Sequence, residues 1–311
     1  MKTLFKFFLI LLFFQPAFAQ EKTLAEKLGY KKNDILLIIN NDDSGMSYAS
    51  NQGTIEGMEN GLISSSTIMF NCPWSLDIVN YVKQHPDKHF GVHLTLTSEW
   101  KNYKWSSVAS SNTVSSLLDP NGYLWRSVEE VYQHGDPEHA YLEGKAQIEK
   151  ALHYGLPITH IDSHMGTFQL KPAYIEKYVR LAVDFNLPLR MASQSTLAKY
   201  GMPNLRRDCA KKGLVFTDYM VYEELANYKD DVEGFWLKVI NDLKPGVTEL
   251  YLHASKDTDD LRVFTGSWKK RIAELEVFTK SEKIKAAIKG RNIHIISYKP
   301  LYDLQQRQNK K

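Results

Sequence analysis

Cysteine is almost missing from this 311-residue chain, which has only Cys72 and Cys209. One bond between them would not define a fold, so a disulfide framework is excluded as the organising principle. Long apolar runs are equally scarce. The run from Leu4 to Phe14 is interrupted by Lys6 and is shorter than the roughly 20 residues a membrane-spanning helix needs, so no integral membrane span is expected. A strong charge of either sign is also lacking. Lysine and arginine total 39 against 36 acidic residues, a net charge of +3, and the lysines are dispersed. This argues against nucleic acid as a partner. No repeat with the period of a solenoid or propeller is visible.

The first residues carry a pattern of export. Met1-Lys2-Thr3 gives a basic start, the apolar run follows, and Ala17-Phe18-Ala19 places small residues where a signal peptidase reads. The alternative is a buried helix. Cleavage before Gln20 is expected, giving a periplasmic or extracellular protein. No cysteine follows Ala19, so the usual lipoprotein anchor is not available.

The remaining about 290 residues suit one large α/β barrel domain. Hydrophobic residues make up 43% and aromatics 12%, enough to bury a sizeable core. After a lead-in over 20–34, short β-rich runs alternate with longer amphipathic stretches, the pattern of a parallel sheet with crossover helices. Strands are expected near Ile35–Asn41, Ser65–Asn71, Phe90–Leu96, Ile158–Asp162, Leu187–Ala192, Leu214–Met220, Glu249–His253 and Ile293–Ser297. A helix is expected to stop at Asn60-Gly61 through a left-handed cap. Residues 98–136, rich in Ser, Asn, Gly, Trp and Tyr without a clear period, form an expected insertion over one barrel face. The barrel domain spans 35–304, and the polar tail 305–311 is expected to be disordered.

Three segments can carry chemistry. Asn40-Asn41-Asp42-Asp43-Ser44-Gly45 lies where an apolar strand runs out. Adjacent carboxylates repel, and a cation or shared proton holds them together. Both can face one cavity only if the strand ends or bends, which Gly45 eases; a solvated turn with Asp42 as a helix cap would fit the same residues. Phe90-Gly91-Val92-His93-Leu94-Thr95-Leu96 carries one imidazole in an apolar strand, either a core histidine or a ligand. Thr159-His160-Ile161-Asp162-Ser163-His164 places His160, Asp162 and His164 at a period of two, with Asp162 suited to fixing a ring tautomer. Each segment ends near the mouth of the expected barrel. One carboxylate and two imidazoles at three strand ends make a three-ligand metal site with room for water, from which hydrolysis follows. Arg190 and His253 end two further strands. Arg190 can orient a carboxylate such as Asp42 or form an ordinary ion pair, and His253 can serve as general acid or sit in the core.

As a set, these segments resemble the YdjC-like carbohydrate deacetylases, the chitooligosaccharide deacetylase group. Asn40 to Gly45 is similar to the family's Asn-Ala-Asp-Asp-Phe-Gly, Gly91 to Thr97 to its Gly-x-His-x-x-Leu-Thr, and Thr159 to His164 to its Thr-His-hydrophobic-Asp-Ser-His. The resemblance runs from about Ile35 to Tyr298. It implies a single deformed (β/α) barrel with parallel strands and outer helices, related to polysaccharide deacetylases. It also implies Asp43, His93 and His164 as metal ligands, Asp42 as general base, and Arg190 and His253 as the later strand-end pair, with His253 the acid. Ser44, Met165-Gly166-Thr167-Phe168 and Leu252-His253-Ala254 depart from the family pattern at expected pocket-wall positions and leave the ligands in place.

The expected activity is therefore metal-dependent removal of acetyl groups from N-acetylated amino sugars or oligosaccharides. One divalent cation is required, zinc or magnesium first, with cobalt, nickel or manganese also suiting the ligands. Trp100, Trp105, Tyr123 and Trp125 of the insertion could stack on sugar faces or simply pack the loop. A metal-dependent phosphoesterase would use similar ligands but wants a second metal or a basic clamp. A glycan-binding protein with a vestigial metal site would have no use for Asp42 beside Asp43. The same expectations allow for a homodimer.

Overall fold

A computed structural model describes residues 22–221 and 231–310. The expected export segment, residues 1–19, lies outside the described residues. The central strand is β1 (Ile35–Ser44), followed by helix α2 (Tyr48–Asn60), after a short α1 (Leu24–Lys27) in the lead-in. Next come β2 (Ser65–Ile68), α3 (Ser75–Gln84), β3 (Phe90–Leu94), α4 (Val128–His134), α5 (Pro137–His153) and β4 (Ile161–Ser163). They are followed by α6 (Pro172–Asp184), α7 (Gln194–Lys199), α8 (Leu205–Lys211), β5 (Tyr219–Met220), α9 (Val232–Asp242) and β6 (Gly246–Leu252). The chain closes with α10 (Asp259–Phe264), α11 (Trp268–Lys280), α12 (Glu282–Gly290), β7 (Ile293–Ile295) and α13 (Lys299–Asn309).

All ladders are parallel, in the order β4-β3-β2-β1-β6-β5, with β7 beside the first residues of β1 and β2 beside its last. This is the deformed (β/α) barrel expected from the alternation of strands and helices. Its wall follows the period of two. Leu37 and Ile39 face the helices in the main core, whereas Leu36, Ile38 and Val247 face inward and join Ala25, Leu301 and Leu304. The barrel interior is therefore apolar at its N-terminal end. Further along the same faces stand Asn40 and Asp42 on β1 and Glu249 on β6, so polarity rises toward the C-terminal mouth.

The wall has a seam where the expected strands shrink. Residues Leu187–Ala192 form only one parallel bridge, Leu189 to Ile161, and of Leu214–Met220 only Tyr219–Met220 pairs with β6. Pro188 has no N–H to donate, and its carbonyl accepts from Ile161. Side chains close the gap. Ser193 Oγ accepts from Met220 N at 3.0 Å and donates to Met220 O at 3.2 Å, and Arg206 donates to both Ala192 O and Thr217 O.

Three local features differ in detail from what the sequence suggests. Gly61 ends α2 in extended backbone rather than a left-handed cap; a Cβ there would lie 2.8 Å from the carbonyls of Gly57 and Phe278, so close approach requires the glycine. The insertion ends in an ordered helix, α4, started by a reciprocal capping box of Ser127 and Glu130. Among the described residues the tail stays ordered after Leu304. It continues α13, in which buried Gln305 accepts from Val215 N and donates to Asn186 Oδ1, so the glutamines serve as hydrogen-bonding residues of a docked helix.

Candidate metal centre and active site

The bend that lets two adjacent carboxylates share one cavity lies in Asp43 itself, whose φ is +67°. Such left-handed backbone costs an L-residue on the order of 1–3 kcal/mol, and aspartate is among those that tolerate it. The β1–β2 register shifts between Asn41 and Ser44. Asp42 keeps the inward parity of the strand, and the turned backbone brings Asp43 in beside it. The helix after the bend is capped by Ser47, not by Asp42.

His93 and His164 converge on Asp43 from β3 and from the turn that follows β4. Asp43 Oδ1 lies 3.3 Å from His93 Nε2 and 3.4 Å from His164 Nδ1, and the two ring nitrogens are 3.2 Å apart. All three residues are buried. Each ring's second nitrogen is tied to a carboxylate: His93 Nδ1 to Asp162 Oδ1 at 2.6 Å, and His164 Nε2 to Glu99 Oε2 at 3.1 Å. The rings therefore present opposite nitrogens to the same point, each oriented by a carboxylate behind it, the arrangement metal-bound histidines use. Burial pulls both rings' pKa values down. The neighbouring carboxylates outweigh it and carry His93 up to about 10, through Asp162 and Asp42, and His164 to about 9, through Glu99 and Asp43. A cation bound here must displace those protons.

The donor set fits a divalent cation. Neither Asp43 oxygen accepts a well-formed hydrogen bond although both are buried, an expensive condition unless another positive group is near. Arg271 from α11 supplies one, with Nη2 2.8 Å from Asp43 Oδ2, which leaves Oδ1 toward the imidazoles. One ligand atom each from Asp43, His93 and His164 lies within 4.8 Å of the other two, and so do atoms of Asp42, His93 and Asp162. The second group is the poorer trap, because Arg190 and Thr67 already occupy its carboxylates.

Arg190 is the centre of the polar interior. It holds both oxygens of Asp42, at 2.7 and 2.8 Å, lies 3.0 Å from Asp162 Oδ2, and donates from Nε to Glu249 Oε1 at 2.8 Å. Tyr298 OH donates to the other oxygen of Glu249 at 2.5 Å. Burial alone would raise the Asp42 carboxyl, but Arg190, with help from His93 and His253, brings it to about 2. His160, from the same run as His164, does not reach the mouth. It stacks on Tyr298 with ring centroids 3.7 Å apart, and burial holds its pKa well below the ordinary value, so it is a neutral core histidine.

His253 follows β6 and lines the same cavity of about 450 Å³ as Asp42, Asp43, His93, His164 and Arg190. Its backbone N–H donates to Glu274 Oε2 at 2.9 Å, and burial above all lowers its pKa. Of the four aromatics expected at sugar faces, only Trp100 lines this cavity. Trp105 is core and donates to Thr97 O; Trp125 stacks on His134 and donates to Ser116 O; Tyr123 is exposed.

Arg271, Glu274, Glu99 and Glu249 also belong to the site, beyond the residues expected from the sequence. Arg271 and Glu274 stand three apart on one face of α11, a buried Arg-x-x-Glu pair after the last strand end. That pairing in an otherwise amphipathic helix was the available signal.

A model of the YdjC-like protein family matches residues 36–289. The chain belongs to the YdjC-like protein family. Among its relatives is a carbohydrate deacetylase of Thermoanaerobacter pseudethanolicus, 29% identical over 263 residues that cover 84% of this chain and 97% of the relative. Another, from Enterococcus faecalis, is 29% identical and covers 85% and 97%. A crystal structure from Enterococcus faecalis, provisionally described as a cellobiose-phosphate cleavage protein, superposes with a TM-score of 0.74 at 29% identity, covering 86% of this chain and 99% of that one. In this YdjC-like chain the matched region includes every residue of the Asp43 centre, Arg190, His253 and Arg271.

Proposed function

We propose that this protein is a metal-dependent hydrolase that removes acetyl groups from N-acetylated amino sugars or their oligosaccharides. The observation that carries the proposal is the convergence of His93 Nε2 and His164 Nδ1 on Asp43 Oδ1, beside a second carboxylate, Asp42, that is occupied elsewhere. The family and the carbohydrate deacetylase relatives support the substrate class.

Asp43, His93 and His164 would hold the cation, which would polarise the acetyl carbonyl and lower the pKa of a nearby water. Asp42 takes the proton as that water attacks. Arg190, by gripping both Asp42 oxygens, keeps the base aimed at the mouth and away from the cation. His253, across the cavity, is placed to protonate the departing amine; burial favours its neutral form, so the proton it delivers is the one Asp42 takes from the water. Asp162 and Glu99 keep the two ligand rings in position. Export to the periplasm or the cell exterior is part of the proposal and rests on residues 1–19.

The test is acetate release from a panel of N-acetylated mono- and oligosaccharides, with chelator, with added divalent cations, and with Asp43→Asn, which suits the left-handed backbone but weakens the ligand. Cation-dependent release that disappears in the variant is expected. Activity that survives both chelation and the substitution would overturn the mechanism, and phosphate release from generic phosphoesters in its place would favour a phosphoesterase.

A further inference from the structure

The two oxygens of Asp43 have different partners. Oδ1 lies 3.3 Å from His93 Nε2 and 3.4 Å from His164 Nδ1, whereas Oδ2 lies 2.8 Å from Arg271 Nη2. Exchange of the two oxygens is hindered, because Asp43 is fully buried and its backbone is held in the left-handed region. Arg271 is itself anchored on several sides. Its Nε donates to Ser267 Oγ at 3.1 Å, and its guanidinium lies 6.0 Å from the centre of the Trp100 ring. Its backbone carbonyl accepts from Ser255 N at 3.1 Å, which joins α11 to the chain after β6. The side chain is only 7% exposed, yet Nη1 is buried without a hydrogen-bond partner. Such an unused donor is costly, and the charge pair with Asp43 is the interaction that offsets it.

A carboxylate can hold a divalent cation through one oxygen or through both. Using both fills one more position around the ion, whereas a hydrolytic centre needs an open position for water or substrate. A guanidinium fixed on Oδ2 stands in the way of the second mode. As a positive charge beside the ion, it also weakens the ion's attraction to the site.

We propose that Arg271 is a positioning residue that restricts Asp43 to ligation through Oδ1, so that the cation is held less tightly but stays more open to water. The inference rests on the proposed function, which supplies the cation, and extends it to a residue outside the Asp43, His93 and His164 set.

The probe is Mn²⁺ added to the full chain, with affinity read by competition with a fluorescent chelator and bound exchangeable water by water-proton relaxation. Arg271→Met should bind Mn²⁺ more tightly, by roughly 10- to 100-fold, the size of effect usual for partners of metal ligands. It should also carry fewer exchangeable waters on the ion. Ser267→Ala, which keeps the guanidinium but removes the acceptor of Nε, should move both readouts the same way by less. With a sugar that releases acetate, kcat of Arg271→Met at saturating Mn²⁺ should fall although the ion is held more tightly. A residue that merely supports the fold would lower affinity and turnover together.

Unchanged or weaker binding by Arg271→Met would overturn the inference, and so would tighter binding with no loss of water, which is an effect of charge alone. If Arg271→Met does not fold, as thermal unfolding in Mn²⁺ would show, Ser267→Ala decides by the same two readouts. Failure of the wild-type chain to bind Mn²⁺ would overturn both this inference and the metal-dependent reading. Binding as expected without acetate release from any sugar would overturn the deacetylase proposal alone.

Discussion

Arg190 grips Asp42 with two parallel hydrogen bonds of 2.7 and 2.8 Å, and both residues are only 3% exposed. A planar guanidinium suits this grip in a way that an ammonium does not. Removing it would leave the Asp42, Asp162 and Glu249 carboxylates without their shared cation. Arg190→Ala is expected to cost about 3–5 kcal/mol of stability, read by urea denaturation. Arg190→Lys should recover part of that stability but little turnover, because a single point charge does not fix both Asp42 oxygens. Turnover near wild type in the lysine variant would show that orientation of Asp42 is unimportant.

Asp162 fixes His93 through a 2.6 Å contact to Nδ1. Asp162→Asn keeps the shape and loses the charge behind the ring. Metal affinity is expected to fall by roughly 10- to 100-fold, measured by competition with a fluorescent chelator. Unchanged affinity would place Asp162 among the purely structural partners of Arg190.

A cation that binds the folded chain at Asp43 must stabilise it by mass action. At about 100 times its dissociation constant the gain is about 2.7 kcal/mol, visible as a higher unfolding midpoint in calorimetry. The gain should vanish in Asp43→Asn and in His93→Ala. An equal shift in these variants would locate the cation elsewhere.

One buried carboxylate of α5 ties the start of the insertion to the barrel. Glu143 accepts from Val108 N, Asn71 Nδ2 and Gln147 Nε2 at Oε1 and from Ala109 N at Oε2. Burial, the largest influence, raises its pKa despite these donors. Glu143→Gln would turn an amide donor toward a backbone N–H, at an expected cost of about 1–3 kcal/mol. Limited proteolysis should then cut within residues 98–127 before the barrel unfolds. Protease resistance equal to wild type would mean that the loop is held by its aromatic packing alone.

Much of the centre could be read from the sequence because strand parity carries it. Asp43, His93 and His164 sit where apolar runs give out, and the period of two aims Asp42 and Asp162 inward. The strand near Leu187–Ala192 was legible as a position but not as a ladder, since Pro188 and the side chain of Ser193 change how that edge is closed. Arg271 and Glu99 were not legible as site residues: one lies on a helix and the other at the start of an aperiodic loop, and only the tertiary fold brings them to Asp43 and His164. The same holds for the aromatics. Composition singled out Trp100, Trp105, Tyr123 and Trp125 together, yet loop packing placed one at the cavity and buried another in the core.

The interior of the barrel has a further consequence that depends on charge alone. Asp42, Asp43, Asp162 and Glu249 are buried there with Arg190 and Arg271, and Glu99 lines the same cavity, so carboxylates outnumber guanidinium groups. In a low-dielectric lumen that imbalance cannot be left to distant solvent. Protons on His93 and His164 would add two positive charges, and so would one doubly charged ion. Exchange of those two protons for one divalent cation would leave the net charge of the lining unchanged, so a divalent ion could enter without altering the electrostatic balance that Arg190 and Arg271 set up.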